Sequence, residues 1–449
     1  MKNLLMILSL ISLANIFFPQ SGWCSRVKVY ADVDKPIILA GSDERVVLKV
    51  GLLPQDDSRQ KRLFLNIAVV LDKSGSMASN QKIENAKRGV IEIIQRMEKG
   101  DIFALITYDT HPRLLIPAQV IEDKDSLIDY VWSITAGGST ALYGGVELGA
   151  IQVRRHLGAQ YLNRVVLLSD GLANVGPQNT QDLAQLGNRL SREGITVSTI
   201  GLGLDYNEDL MAALAQEGEG NFYFSRNSDE LPMIFAEEIG EAATLLAQNI
   251  NVAIECADGV APSAILGRKG AVHQQSMSAD INSLYGKNEK YALFEMRPPQ
   301  GEDGKTITLA TVKVEYHDPF TKKRVTEIKT VSVCYDKSKD AVSKKERKNI
   351  IKEVELTRVS EIKRQAVTFA DQGSFRSSSE VLKEKISKLE ETARKCDNDK
   401  DLLREARELE QFSSQIIDNK GMSRYQRKRL VNDAATQVDQ QGYVSRSTK

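Results

Sequence analysis

The sequence predicts an α/β domain with a doubly wound, mostly parallel sheet, inserted in a β-sandwich and followed by a C-terminal helical region. Three observations predict this class. Fully apolar strand patterns alternate with helical patterns between about residues 62 and 240, which is typical of a parallel sheet covered on both faces. Strand patterns without intervening helices lie before and after this region. Beyond Asp340 the chain is charged, with apolar residues at helical spacing.

Length and charge limit the class of protein. A chain of 449 residues is too long for one ordinary core, so two or three domains are expected. Lysine plus arginine and aspartate plus glutamate each number 60, which gives a formal net charge of zero. Because there is no excess charge, nothing favours a nucleic acid or an anionic membrane as a partner. The predicted segments are a signal peptide (1–24), the first sandwich strands (25–60), the α/β domain (61–242), the rest of the sandwich (243–338) and the helical region (339–449).

The N-terminus has the pattern of a secretory signal peptide. Lys2 precedes an apolar run from Leu4 to Phe18, and small and polar residues follow. Cleavage near Cys24 would place the mature protein in the periplasm or outside the cell. The apolar run is also about the shortest that spans a bilayer, so an uncleaved N-terminal anchor is the alternative. No later stretch is apolar and long enough, and we therefore expect no integral membrane span after signal removal.

Strand patterns on both sides of the α/β segment predict a single sandwich. The two early strands have no partner of their own, and short connections would bring them beside the later ones. In the later group, "HDPFTKKR" carries turn residues and predicts a hairpin. The last helical pattern of the α/β segment, at residues 229–248, predicts one helix that runs up to the returning sandwich. The C-terminal region predicts two to four packed helices, as a solvated bundle rather than a specific binding surface.

Two of the cysteines, Cys256 and Cys334, lie in strand patterns of the predicted sandwich. Export makes a disulfide between them possible, whereas the alternative is two small buried side chains. The sequence does not decide between these alternatives. The absence of a C-x-x-C pair argues against a cysteine-ligated zinc site.

Carboxylates and hydroxyls follow the strands of the α/β segment. Asp72 ends the apolar strand "RLFLNIAVVLD", and Ser74 and Ser76 come directly after it. Asp170 ends "NRVVLLSD" in the same way, and a loop with Ser139 and Thr140 precedes a helix. Ligands of doubly wound sheets bind beyond the carboxyl ends of the strands. Oxygen ligands of this kind suit a hard cation such as Mg²⁺.

Each of these pieces also has a purely structural interpretation. Asp72 or Ser74 could cap the next helix, and "SDG" could be a turn. Their occurrence together, on consecutive elements of one predicted sheet, favours a shared cation site. The motifs "DKSGSM", "GGSTAL" and "LLSDGLAN" resemble the three parts of the metal-ion-dependent adhesion site of von Willebrand factor A domains. The resemblance covers about residues 62–240.

The resemblance implies a Rossmann-like fold and a set of metal ligands. Ser74, Ser76 and Thr140 would bind the metal through hydroxyls, with Ser139 as the alternative to Thr140. Asp72 and Asp170 would hold it directly or through water. The metal would be Mg²⁺, or else Mn²⁺ or Ca²⁺, and would bind an exposed aspartate or glutamate of a partner protein. The whole arrangement also resembles bacterial proteins described as calcium-activated chloride channel-like or inter-alpha-trypsin inhibitor heavy chain-like.

These features predict an exported, metal-dependent protein-binding module that is not an enzyme. The alternative is a structural scaffold of an envelope complex, in which the metal only stabilises the fold. An enzyme is not expected, because the four histidines form no H-x-x-x-H pair and no G-x-S-x-G occurs. "GLGLDY" does not complete a dinucleotide motif, since Tyr206 stands where the third glycine would be.

Overall fold

The computed structural model describes most of the chain between residues 26 and 440. The described ranges are 26–55, 62–158, 160–242, 244–281, 283–286 and 288–440. The expected signal peptide and Cys24 lie outside them. Within the described ranges, no helix combines the length and the apolar character that crossing a membrane requires.

The elements follow one another in four groups. The chain starts with β1 (Val27–Val33), β2 (Ile37–Leu39) and β3 (Val46–Pro54). It continues with β4 (Phe64–Asp72), α1 (Lys82–Arg96), β5 (Ile102–Tyr108), β6 (Pro112–Val120), α2 (Lys124–Trp132), α3 (Leu142–Arg154), β7 (Tyr161–Ser169), α4 (Thr180–Arg192), β8 (Thr196–Leu202), α5 (Glu208–Glu217), β9 (Glu219–Ser225) and α6 (Leu231–Ala242). Next come β10 (Leu245–Cys256), β11 (Ala261–Leu266), β12 (Gly270–Val272), β13 (Ser276–Ile281), β14 (Leu284–Tyr285), β15 (Lys290–Arg297), β16 (Thr306–Asp318) and β17 (Lys323–Asp336). The chain then forms α7 (Lys339–Lys345), α8 (Lys348–Asp371), α9 (Phe375–Lys395), α10 (Lys400–Asp418) and α11 (Arg424–Asp439).

The α/β domain is built on one twisted sheet with the strand order β6-β5-β4-β7-β8-β9. All neighbours in it are parallel except β6, which pairs antiparallel with β5 at one edge. Helices α1, α2 and α6 cover one face, and α3, α4 and α5 cover the other. Since β4 lies in the middle and is buried on both faces, its sequence is continuously apolar. The predicted doubly wound class is confirmed.

Two local features differ from the sequence analysis. The sequence patterns predict no helix or strand between residues 110 and 139, where the structure has β6 and α2. β6 contains Pro112 and Pro117 and has exposed side chains on much of its length, as an edge strand can. The helix predicted over residues 229–248 ends at Ala242, because Leu245 and Ala247 already pair with β14. Strand pairing therefore overrides the helical pattern at the end of that segment.

The sandwich is assembled from strands on both sides of the α/β domain. One sheet has the order β1-β3-β15-β11, so the early strand β3 pairs directly with the late strand β15. The other has the order β12-β13-β10-β16-β17-β2, with β14 beside β10. β16 and β17 form the hairpin predicted at "HDPFTKKR". Apolar side chains of both sheets form one core between them. The inserted arrangement is thus confirmed.

Cys256 and Cys334 do not form a disulfide in this structure. Both are free, as is Cys396. Cys256 lies on β10 opposite Ala310, and Cys334 lies on β17 opposite Thr306, so β16 stands between them. Two strand spacings amount to roughly 10 Å, whereas bridged cysteines need Cα atoms within about 7 Å. The pairing that the sequence left open is therefore excluded by strand order.

The long helices α8 to α11 pack around an apolar core of their own. Helix α11 also packs on the α/β domain, which the prediction of a solvated bundle did not include. The Asn432 Oδ1 accepts a hydrogen bond of 3.1 Å from the backbone N–H of Phe224 on the edge strand β9. Lys428 Nζ, on a side chain that is 2% exposed, bonds to the Tyr206 carbonyl at 2.6 Å and pairs with Glu208. These contacts fix the helical region to the domain and cover its sheet edge.

Lys428→Met should destabilise the chain by about 1.5–3 kcal/mol, because it removes the hydrogen bonds that the buried Lys428 ammonium group donates to the Tyr206 carbonyl and to Glu208. Glu208 keeps Arg427 as a second partner, which limits the loss. The matched control is Arg424→Met on the same helix, whose ion pair with Asp205 is exposed on both sides and should contribute little. Urea unfolding of the two variants measures the difference. Equal midpoints for both would contradict the assignment of α11 as a buried contact.

Candidate metal centre

Asp72 is the last residue of β4 and lies at the carboxyl edge of the sheet, and its side chain has no exposed surface. One carboxylate oxygen, Oδ1, accepts a hydrogen bond of 2.8 Å from the Ser74 backbone N–H. The other, Oδ2, accepts one of 2.9 Å from the Ser169 hydroxyl at the end of β7. The carboxylate is therefore fixed from its own loop and from the neighbouring strand.

Ser76 lies in the short 3-10 helix that follows β4 (Gly75–Ala78), and Ser74 is the N-cap residue of this helix. Their hydroxyl oxygens are 3.0 Å apart, which shows that alternate side chains of this segment converge. Ser74 is 2% exposed. The backbone N–H of Gly75 between them donates to the Gly138 carbonyl at 3.0 Å. This bond ties the first loop of the site to the loop that carries Ser139 and Thr140.

Asp170 follows β7, the parallel neighbour of β4, and is fully buried. Its Oδ1 accepts a hydrogen bond of 2.6 Å from the Ser76 hydroxyl. Its Oδ2 is 2.6 Å from the Nζ of Lys82, the first residue of α1. Because β4 and β7 run in parallel, their carboxyl ends bring Asp72 and Asp170 to one place, as the sequence analysis expected.

The third loop brings Thr140 to the same place. Thr140 is 4% exposed, and its backbone N–H donates to the Asn174 side chain at 2.7 Å. A Cβ atom built on Gly171 would lie 3.5 Å from both the Ser76 and the Thr140 hydroxyl oxygens. The two hydroxyls therefore border one small space. Ser139 is only half-buried, and its backbone N–H donates to Thr110.

Burial controls the electrostatics of this edge. Desolvation raises the pKa of Asp72 to about 6, and the negative charge of Asp170 adds to the rise, while hydrogen bonds from Ser74 and Ser169 oppose it. Tyr108 is the last residue of β5, and burial together with the negative charge of Asp72 raises the pKa of its hydroxyl well above the ordinary value. Its hydroxyl donates to the Leu168 carbonyl at 2.9 Å. Two buried carboxylates this close favour a cation beside them.

The donor set fits a hard divalent cation. It consists of two carboxylates and three hydroxyls, all oxygen donors, from three different loops. Mg²⁺, Mn²⁺ and Ca²⁺ take such ligands, whereas the softer metals prefer thiolate or imidazole. The residues that would hold the cation are Asp72, Ser74, Ser76, Thr140 and Asp170.

Two lysines at this edge, Lys73 and Lys82, belong to none of the three predicted ligand groups. Lys73 pairs with Asp109, which holds the pKa of that carboxyl below its usual value despite burial. Lys82 pairs with Asp170. Asp109, which directly follows the last residue of β5, is thus a carboxylate with its own partner, outside the candidate ligand set. Only a three-dimensional arrangement shows these pairs, because no spacing rule relates Lys82 to a residue 88 positions away.

Residues 66–237 match the family model described as von Willebrand factor type A domain. The α/β domain is a von Willebrand factor type A domain. The match confirms the family to which the three motifs pointed, and it covers the strands and loops that carry the five candidate ligands.

Two curated proteins are similar to this chain over more than half of its length. The chain is 26% identical to protein YfbK of Escherichia coli over 53% of its own length, and 26% identical to protein sll0103 of Synechocystis over 61%. These alignments cover 43% and 66% of the two relatives, so less than two thirds of either relative is matched.

Two solved structures share the fold beyond the von Willebrand factor type A domain. A von Willebrand factor type A protein of Catenulispora acidiphila superposes with a TM-score of 0.69 at 12% identity, covering 92% of this chain and 97% of that one. The ArnB paralog VWA2 of Sulfolobus acidocaldarius gives 0.58 at 20% identity, covering 92% and 98%. Since the coverage is nearly complete, the likeness includes the sandwich and the helical region as well as the inserted domain.

Proposed function

We propose that this chain is a protein-binding module whose von Willebrand factor type A domain holds a divalent cation and uses it to bind an acidic side chain of a partner protein. Domains of this family typically mediate protein–protein interaction. The observation that supports the metal-dependent form is the convergence of Asp72, Ser74, Ser76, Thr140 and Asp170 on one edge of the sheet. Mg²⁺ is the proposed cation, with Mn²⁺ and Ca²⁺ as the other candidates.

The charges directly beside the candidate ligands support an acidic ligand. Three carboxylates (Asp72, Asp109 and Asp170) and two ammonium groups (Lys73 and Lys82) carry a net charge of −1. When bound, a divalent cation would supply a positive centre and change the sum to +1. The five residues would hold and orient that centre at the surface, where a partner's aspartate or glutamate can approach. A charged contact of this kind sets orientation and specificity.

Export is part of the proposal and is supported by the sequence of residues 1–24. We propose a periplasmic or extracellular location, with an uncleaved N-terminal anchor as the other arrangement. We also propose that the chain is not an enzyme, since the site offers cation ligands and neighbouring ion pairs but no recognised nucleophile or base motif.

A structural scaffold is the second candidate function, and the contacts that join the α/β domain to the sandwich and to the helical region favour it. Arg164 of the von Willebrand factor type A domain donates to the Tyr285 hydroxyl of the sandwich at 2.5 Å, and α11 attaches the helical region. In this case the cation would only hold three loops together. Chelation would then lower the unfolding temperature but leave partner binding unchanged.

Capture from a cell-envelope extract tests the proposal. The bait is the chain without residues 1–24, used with Mg²⁺, with EDTA, and as Asp72→Asn with Mg²⁺. We expect a partner that is retained only by the wild-type chain in Mg²⁺. A partner retained equally in all three experiments would indicate that the sandwich or the helices bind it, and this result would favour the scaffold.

A further inference from the structure

We propose that Lys82 is an internal counter-ion of the metal site: its ammonium group competes with the divalent cation for Asp170 and moves into a neighbouring cavity when the cation binds. The inference rests on the proposed metal-dependent function, and it adds a residue that controls cation affinity.

The ion pair lies inside the candidate ligand set. Lys82 Nζ is 2.6 Å from Asp170 Oδ2, and the two side chains are 13% and 0% exposed. The other oxygen of Asp170 accepts the Ser76 hydroxyl. Every described hydrogen bond to this carboxylate therefore comes from a candidate ligand or from Lys82. Because water is largely excluded from the pair, the positive charge of the Lys82 ammonium group strongly offsets the negative charge of the Asp170 carboxylate, which a cation would need as a ligand.

A place for the displaced ammonium lies next to the pair. An open cavity of about 550 Å³ is bordered by residues 80–82, 202–205 and 226–229, at the carboxyl ends of β8 and β9. The Lys82 Nζ and Cε atoms lie 3.8 and 3.9 Å from where a Cβ of Gly203 would stand. Lys82 and Gly203 both line this cavity, and the Lys82 ammonium group lies at ordinary contact distance from the Gly203 position, so it is already at the cavity wall.

The charges that border the cavity can receive the ammonium. Asp205 and Asp229 contribute carboxylates, and Arg226 contributes a guanidinium that stacks on the Tyr425 ring at 4.9 Å. Asp205 pairs with Arg424 on an exposed surface, and Asp229 accepts a hydrogen bond of 2.9 Å from Asn85. Both carboxylates still have acceptor capacity. Because Lys82 lines the same cavity as these two carboxylates, rotation of its flexible side chain within the cavity would exchange Asp170 for one of them.

Two consequences follow for the metal site. In the metal-free chain, Lys82 offsets the repulsion between the buried carboxylates Asp72 and Asp170. In the presence of the cation, the free energy of breaking the ion pair is subtracted from the binding free energy, so the cation binds more weakly than to the same ligands alone. Lys82 thus stabilises the empty site and raises the Mg²⁺ concentration at which it fills.

Calorimetric titration of the purified metal-free chain with MgCl₂ tests this inference. We expect Lys82→Met to bind Mg²⁺ at least about tenfold more tightly than the wild type, since the cation no longer has to break the ion pair between Lys82 and Asp170. Lys82→Gln, which keeps a polar end, should show the same direction. In the absence of metal, both variants should unfold at a lower temperature than the wild type.

Lys73→Met is the matched control. It removes the same charge from the same edge, but Lys73 pairs with Asp109, which is outside the candidate ligand set. Its Mg²⁺ affinity should change by about threefold or less, because only the longer-range charge term is lost. Equal gains for Lys73→Met and Lys82→Met, or no gain for both Lys82 variants, would overturn the role of Lys82.

Asp72→Asn separates this inference from the proposed function. A wild-type chain whose Mg²⁺ binding does not depend on Asp72 overturns the function. If Mg²⁺ binding by Lys82→Met is nevertheless lost when Asp72→Asn is added to it, the counter-ion role of Lys82 still stands. Absence of Asp72-dependent binding in every variant would overturn both.

Discussion

Asp72→Asn should abolish Mg²⁺ binding without destabilising the metal-free chain. The wild-type chain should gain about 2.7 kcal/mol of unfolding free energy when Mg²⁺ is present at one hundred times its Kd, and the variant should gain nothing. Asp72 is fully buried and has a pKa raised to about 6, so its charge costs stability when no cation is bound. Asparagine removes that charge and keeps an oxygen that accepts from Ser74 or Ser169.

Thermal unfolding with and without Mg²⁺ measures this result. Asp109→Asn is the matched control, because Asp109 is an 8% exposed aspartate at the same edge that pairs with Lys73 rather than with a candidate ligand. It should keep the Mg²⁺-dependent rise in unfolding temperature. Should Asp72→Asn keep the rise as well, the cation would lie elsewhere.

Arg164→Met should destabilise the chain by roughly 3–5 kcal/mol, because it leaves a buried carboxylate without its cation. Arg164 on β7 is 3% exposed and pairs with Glu238 of α6, which is not exposed at all. Glu238 also accepts from Ser198 at 2.5 Å and from Tyr223 at 2.9 Å. These neutral donors remain in the variant, but none of them offsets the charge.

Arg154→Met provides the comparison for this prediction. Its ion pair with Glu193 is equally well formed but about one third exposed on each side, so its loss should cost at most about 1 kcal/mol. Urea unfolding of both variants without added metal measures the difference. A loss for Arg164→Met as small as that for Arg154→Met would show that the Glu238 site is hydrated, and it would contradict the buried network.

The order of strands and helices is predictable from the sequence where burial alone decides which residues are apolar. β4 and β7 are apolar throughout because they lie inside a sheet covered on both faces, and this pattern is visible in the sequence alone. β6 does not show that pattern, because an edge strand with two prolines and one partner does not need it. The helical pattern continues beyond the end of α6, because pairing with β14, 40 residues further on, decides the conformation of Leu245.

The candidate ligands were predictable because each follows a recognisable strand or loop motif. Their geometry depends on parallel strands, whose ends must meet at one edge. The lysines of this edge were not predictable in the same way. Lys82 begins α1 after Asn80 and Gln81, both of which adopt a left-handed backbone with φ near 55°, and no sequence pattern relates this turn to the ion pair with Asp170. Likewise, strand order rather than spacing decides that Cys256 and Cys334 remain apart.

The most direct test of the central claim is the dissociation constant between the purified chain and its captured partner, measured at saturating Mg²⁺ and in EDTA. If a partner carboxylate binds through the cation held by Asp72 and Asp170, removing the cation should weaken binding by at least about thirtyfold, the effect of losing one partner of a buried charge pair. Asp72→Asn in Mg²⁺ should match the wild-type value in EDTA. Dissociation constants that agree within about twofold under all three conditions would contradict metal-dependent recognition.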